Sequence, residues 1–190
     1  SIPPVGDDWI PWAWDFQLNA EGNYQGELDY LKALPGDWII TKMYAYPISF
    51  MLSGLYADLG QDESASKELL RAKELLEPMV AKYPDDHRYH GTLGIVHAML
   101  GERERAIQEG LSAVEILPPS TDAFYGLQTV QDLTMIYTLL GEQEAALDQL
   151  EEMYSRPSWF SPGSLITEFI PWLALLSDHP GYKELVEKYR

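Results

Sequence analysis

The sequence contains no cysteine, which excludes disulfide bonds, thiol catalysis and thiolate metal sites. Basic side chains are scarce, because 13 lysines and arginines stand against 30 aspartates and glutamates, for a formal charge of −17. A chain this acidic repels the phosphates of nucleic acids and gains nothing from an anionic membrane surface. It attracts a basic partner over distance. We therefore expect no nucleic-acid partner, and a protein or peptide partner of basic character.

Long apolar runs are also missing. No segment approaches the ~20 consecutive apolar residues that a membrane-spanning helix needs, and no signal peptide is visible. We therefore expect no direct insertion into a membrane, and a cytoplasmic location. The chain begins with Ser1 rather than methionine. We expect it to be part of a longer protein, which leaves an extracytoplasmic location open.

The common catalytic motifs are missing as well: there is no Gly-x-Ser-x-Gly, no phosphate-binding loop and no dinucleotide fingerprint. Three of the four histidines lie close together, at His87, His90 and His97. They lack the spacing of a zinc protease, and His97 stands where other repeats have tyrosine, which packing explains. We predict a protein that is not an enzyme and that has no catalytic residue, no metal and no cofactor.

The sequence does contain helical patterns, which glycines interrupt at regular intervals. Strict alternation of apolar and polar residues, which is typical of a half-buried strand, never extends beyond a few residues. Glycines end successive helices at spacings of 38, 41 and 40, at Gly22, Gly60, Gly101 and Gly141. Alanines follow the last three glycines at the same distance, at Ala65, Ala106 and Ala146. A fixed period of helix pairs indicates a solenoid, in which each pair buries its apolar face against its neighbours.

We therefore predict an all-α chain of antiparallel helix pairs, forming a single domain over residues 1–190. About four repeats are expected, at 7–35, 38–84, 86–118 and 122–157, followed by C-terminal capping helices at 161–190. Pro47 lies inside an apolar stretch of the second repeat. Since proline is tolerated at a helix start but kinks a helix interior, either a helix begins there or a longer helix is kinked.

The pattern Leu93-Gly94…His97…Gly101…Ala106…Ala113…Pro118 resembles a tetratricopeptide repeat (TPR). The similarity is greatest over residues 88–118. It implies a right-handed solenoid and a non-catalytic module that binds a protein or peptide segment. A narrower similarity, carried by Glu109-Gly110 and Asp178-His179-Pro180 among others, is to the C-terminal repeats of bacterial signalling proteins. There such repeats follow a kinase, a cyclase or a DNA-binding domain, so the resemblance implies a larger signalling or regulatory protein.

The resemblance also implies which residues face the concave groove of the solenoid. In the first two repeats they are Trp9, Trp12, Phe16, Asn19, Pro47, Phe50, Gly54 and Ala57. In the last two they are Arg88, Gly91, Ile95, Ala98, Gln128, Gln131, Met135 and Thr138. Large aromatic side chains in a groove are where a bound peptide is anchored. Alternatively, the N-terminal aromatics seal the end of the core or dock on a missing domain, because terminal repeats must cover themselves.

Two other functions remain open from the sequence. The module could mediate self-association of its parent protein, or pack against a regulatory domain of the same chain. It could also be a small-molecule sensor, with a pocket between the aromatic N-terminus and the second repeat. The leading interpretation is groove binding of a few apolar side chains from a protein or peptide partner.

Overall fold

The computed structural model describes Leu18 and residues 21–155 and 171–189. The chain divides into two compact units, which separate between Pro84 and Asp85. The first contains α1 (Tyr24–Ala33), β1 (Trp38–Ile40), β2 (Ala45–Pro47), α2 (Ile48–Asp58) and α3 (Asp62–Lys82). The second contains α4 (His87–Met99), α5 (Arg103–Ile116), α6 (Gly126–Leu139), α7 (Gln143–Tyr154), a short 3-10 helix (Pro171–Leu176) and α8 (Pro180–Tyr189). The described residues are thus mostly helical, as predicted.

One small β-hairpin interrupts this helical architecture. Strands β1 and β2 pair antiparallel, with Ile39 opposite Tyr46. The Thr41 hydroxyl accepts hydrogen bonds from the backbone N–H groups of Met43 and Tyr44, at 3.1 and 3.2 Å, and so stabilises the turn. Helix α2 then begins at Ile48 with Pro47 as its N-cap. Of the two alternatives for Pro47, the helix start is therefore confirmed.

The same turn connects the helices of each hairpin. Gly60, Gly101 and Gly141 have φ angles of 68°, 74° and 76°, which glycine adopts without steric strain. After Gly101, the N–H of Glu102 donates to the carbonyl of His97 at 2.9 Å, which satisfies one of the last carbonyls of α4. Equivalent bonds, also spanning five residues, follow Gly60, Gly141 and Gly22. The four predicted turns therefore share one local geometry.

The helices of each hairpin pack together, since α2 contacts α3, α4 contacts α5 and α6 contacts α7. In the second unit, α6 also packs against both helices of the preceding hairpin. The predicted alanines Ala106, Ala113 and Ala146 are fully buried. Small side chains at these positions allow the helices to approach closely. The apolar core of the second unit includes Leu127, Val130, Leu150, Met153, Leu173 and Leu176.

Helices α4 and α5 approach each other closely at Gly94. A Cβ atom added to Gly94 would lie 3.1 Å from the carbonyl oxygen of Ala106 and 3.1 Å from the amide nitrogen of Gly110. It would also lie 2.6 Å from Cδ1 of Ile136. The backbone of α5 therefore occupies the space that a side chain would need.

We expect Gly94→Ala to lower the free energy of unfolding by about 1–3 kcal/mol, because the helices must separate. The control is Gly54→Ala in α2, where an added Cβ meets no atom within 4 Å. That variant should be more stable by about 0.5–1 kcal/mol, because alanine favours the helix. Urea denaturation followed by circular dichroism measures both changes. Equal effects of the two variants would contradict the close approach.

Candidate functional site

The structure places the predicted groove residues on three helices. Trp9, Trp12, Phe16 and Asn19 lie outside the described residues. Phe50 lies on α2, Arg88 and Ile95 lie on α4, and Gln128, Gln131 and Met135 lie on α6. The α2 position belongs to the first unit and the other five belong to the second. The groove residues therefore form two groups, one in each unit.

Phe50 belongs to an aromatic row in the first unit. Its half-buried ring lies 5.2 Å from the ring of Tyr46, centroid to centroid. Tyr46 in turn stacks on Tyr44 at 4.3 Å, with the ring planes inclined by only 14°. Aromatic contacts of this kind stabilise by about 0.5–1.5 kcal/mol beyond simple burial. The hairpin thus supplies the Tyr46 ring that contacts Phe50 at the start of α2, and the Tyr44 ring that stacks on Tyr46.

The group in the second unit is more deeply buried than an open groove requires. Arg88, Ile95 and Gln128 are buried, whereas Gln131 and Met135 are partly exposed. The side-chain oxygen Oε1 of Gln131 is buried and has no hydrogen-bond partner among the described residues. A buried amide oxygen without a partner is unfavourable, so it accepts a donor readily. Gln131 and Met135 are the two predicted groove residues of α6 that are partly exposed.

A buried carboxylic acid, Asp132, lies next to Gln131 on α6. Its Oδ1 accepts a hydrogen bond of 2.8 Å from the Gln128 side-chain amide. Burial raises the pKa of Asp132 to about 7, although the bond from Gln128 lowers it in part. The carboxyl group therefore changes its charge near neutral pH. Its neighbour in sequence, Gln131, carries the other acceptor oxygen on this part of α6.

Gly91 of α4 creates the space for the Asp132 carboxyl group. A Cβ atom added to Gly91 would collide with Oδ2 of Asp132. Because Gly91 has no side chain, α4 contributes no charged group at this point. Asp132 is the only charged residue of α6, which is the one signal in the sequence that could have identified it. We define the acceptor site as Gly91, Gln128, Gln131 and Asp132.

Arg88 is bound at the start of α4 by Asp86. The guanidinium donates from Nε to Oδ1 at 2.9 Å and from Nη2 to Oδ2 at 2.6 Å. Oδ1 also accepts the backbone N–H of Arg88 at 3.2 Å, so that Asp86 caps the helix. Burial would raise the pKa of Asp86, but the bonds from Arg88 outweigh it and lower that pKa. Arg88 thus has a structural partner within its own helix turn.

Two of the three clustered histidines pair with separate carboxylates. Nδ1 of His90 lies 2.6 Å from Glu109, and Nδ1 of His97 lies 2.7 Å from Glu102. His87 stands apart, and burial lowers the pKa of its ring. Within residues 21–155 and 171–189, no cluster of at least three His, Asp or Glu side chains is placed to hold a metal ion.

No protein-family model matches this chain, and comparisons with curated proteins and with solved structures found no match. None of the helices within the described part of the chain combines the length and the apolar character needed to cross a membrane.

Proposed function

We propose that this chain is a non-catalytic helical-repeat module of the tetratricopeptide class, which binds a segment of a partner protein. The observation that supports this is the hairpin turn, which recurs with the same hydrogen bonds at Gly60, Gly101 and Gly141. Hairpins that recur at a near-constant period are typical of repeat units that cannot bury their apolar faces alone. We propose that they stack into a right-handed solenoid, and that the chain acts within a larger bacterial signalling or regulatory protein.

The charge of the chain argues for a basic partner. With a formal charge of −17, the module attracts cationic segments and accelerates their association at low ionic strength. Oε1 of Gln131 is the acceptor for such a segment, because it lacks a hydrogen-bond partner on a side chain that is partly exposed. Lysine and arginine side chains carry only donors, so they complement these oxygens. The apolar contribution would come from Met135, which is partly exposed one helical turn after Gln131.

This proposal is tested by selecting binders from a displayed library of random peptides on the immobilised protein. We expect the selected peptides to be enriched in lysine and arginine, with one or two large apolar residues. Their affinities, measured by fluorescence polarisation, should fall as salt is raised, because the attraction is screened. Gln131→Ala should weaken binding by about tenfold, since one buried hydrogen bond is lost.

The matched control is Gln108→Ala on α5, where the glutamine is exposed. Its affinity for the selected peptides should equal that of the original chain. Circular dichroism verifies that both variants remain folded. The proposal fails if no peptide is enriched, or if Gln131→Ala binds as tightly as the control.

A further inference from the structure

The first unit contains a cavity of about 320 Å³ between the C-terminal end of α1, the loop before β1, and helices α2 and α3. Its apolar wall comes from the largely buried side chains Leu31, Ile48 and Leu52. Ser49 and Glu68 also line it. The volume lies near the lower end of the range of roughly 300–1,000 Å³ that small-molecule sites occupy. Five of the ten lining residues are polar or charged, so this cavity is more polar than most small-molecule sites.

Two residues that line this cavity each carry an oxygen that is buried without a hydrogen-bond partner: Oγ of Ser49 and Oε2 of Glu68. Ser49 is only 3% exposed. One turn later on the same helix, the Ser53 hydroxyl donates to the carbonyl of Phe50 at 2.7 Å, as helix serines commonly do. Ser49 makes no such bond. Buried polar groups are nearly always paired, so two unpaired oxygens in one cavity point to a missing partner.

The charges around the cavity determine what that partner is. The guanidinium of Arg71 lies 4.0 Å from Oε2 of Glu68, beyond hydrogen-bond distance. Arg71 is bound instead to Asp37 at 2.8 Å, and both side chains are about half exposed. The other cation, Lys32, is exposed at the rim and lies over the ring of Tyr56. Oε2 of Glu68 therefore has a long ion-pair contact with Arg71 but accepts no hydrogen bond from a protein donor.

We propose that this cavity binds a small primary ammonium compound with a compact apolar body. The ammonium group carries three donors, which can satisfy Glu68 and Ser49 together. Bonds between an ammonium group and a carboxylate are the strong, charge-assisted kind. The apolar body would pack against Leu31, Ile48 and Leu52. The overall charge of −17 raises the local concentration of cations and disfavours anionic ligands.

The test compares three compounds that share a phenylethyl or phenylmethyl body and differ in head group: phenethylamine, phenylethanol and phenylacetate. Proton–nitrogen correlation spectra of the full chain are recorded during each titration. Phenethylamine has roughly nine non-hydrogen atoms, for which a dissociation constant of about 1 mM is expected. The shifts should map to Ile48, Ser49 and Glu68. The alcohol should bind about tenfold more weakly, because its bonds lack charge assistance, and phenylacetate should not bind.

Two variants test the residues. Glu68→Gln should weaken phenethylamine binding about tenfold and abolish the preference for the amine over the alcohol. Glu74→Gln is the matched control, because Glu74 lies exposed on the same helix. Ser49→Ala provides a second variant that removes the other oxygen, and it should weaken the amine about threefold to tenfold. Circular dichroism verifies the fold of each variant.

The inference is overturned if phenethylamine does not bind, or if all three head groups bind equally. Those are the results expected when water alone satisfies the two oxygens. It is also overturned if the shifts map away from the cavity, or if Glu68→Gln and Ser49→Ala both bind the amine as tightly as Glu74→Gln. Because the cavity and the acceptor site use different helices, peptide binding and amine binding can fail independently.

Discussion

Replacing Asp132 by asparagine should make the protein more stable above neutral pH and leave its stability unchanged in acid. The buried carboxyl group has a pKa of about 7 in the folded protein, against its ordinary value of 3.8. The folded state therefore binds this proton more tightly than the unfolded state does. The stability that this tighter proton binding contributes is fully present below a pH of about 4 and is lost as the pH rises towards 7. Above a pH of about 7, the folded protein holds a buried negative charge on Asp132.

The expected size of this effect is large for a single side chain. The difference between 3.8 and about 7 corresponds to about 4 kcal/mol in the free energy of unfolding. Asparagine retains an oxygen that can accept the Gln128 bond, and it cannot ionise. The gain of Asp132→Asn over the original chain should therefore grow from near zero at about pH 4 to about 4 kcal/mol at about pH 9.

Urea denaturation of both proteins across that pH range measures the difference, in which the titration of all other groups cancels. Asp148→Asn is the matched control, because Asp148 is exposed on α7. Its stability should follow that of the original chain within about 0.5 kcal/mol. If the curves for Asp132→Asn and the original chain run parallel, then the pKa of Asp132 is not raised by folding, because water or a positive charge stabilises its carboxylate.

The turns between helices could be predicted from the sequence because their chemistry is local. A glycine such as Gly101 ends a helix through its own backbone freedom, and the hydrogen bonds that follow involve residues within five positions. The helical class follows for the same reason. Each pattern is contained in one stretch of chain, so no knowledge of distant contacts is needed.

The β-hairpin could not be predicted in this way. Its strands have only three residues each, which is too short for alternation to be recognised. They are stabilised by pairing, as between Ile39 and Tyr46, and by the turn at Thr41. Pro47 ends the second strand, where a missing N–H is tolerated, and then starts α2.

The acceptor site and the cavity depend on contacts between residues that are far apart in the sequence. Asp132 is recognisable as the single charge of α6, but its burial requires Gly91 on another helix. Ser49 and Glu68 are ordinary polar residues until α2 and α3 pack together and both residues line one cavity, each with an unpaired oxygen. Arg88 was placed in the groove by resemblance, and only the structure reveals its bonds to Asp86.

Those bonds lead to the second large effect, which is expected from Arg88→Met. Methionine retains the apolar length of the side chain but removes the guanidinium, so Asp86 loses two of its hydrogen bonds. The side chains of both residues are about nine-tenths buried. Removing one partner of a buried pair leaves an uncompensated charge, and a loss of about 3 kcal/mol in the free energy of unfolding is expected. Thermal or urea denaturation at neutral pH measures it.

The pH dependence distinguishes the ion pair from simple packing. The Arg88 bonds keep the pKa of Asp86 low, against the effect of burial. The stability that they contribute is therefore present above the unfolded pKa of about 3.8 and is lost as the pH falls through the lower folded value. The deficit of Arg88→Met should accordingly shrink in acid, whereas a packing loss would persist.

Two further variants complete this test. Arg103→Met removes the partner of Glu142 in a pair whose side chains are 52% and 37% exposed, and it should change stability little. Adding Asp86→Asn to Arg88→Met removes the unpaired charge but retains an oxygen that can cap α4, so most of the lost stability should return. If the double variant is as unstable as Arg88→Met alone, the loss arises from the other contacts of Arg88 and not from the charge of Asp86.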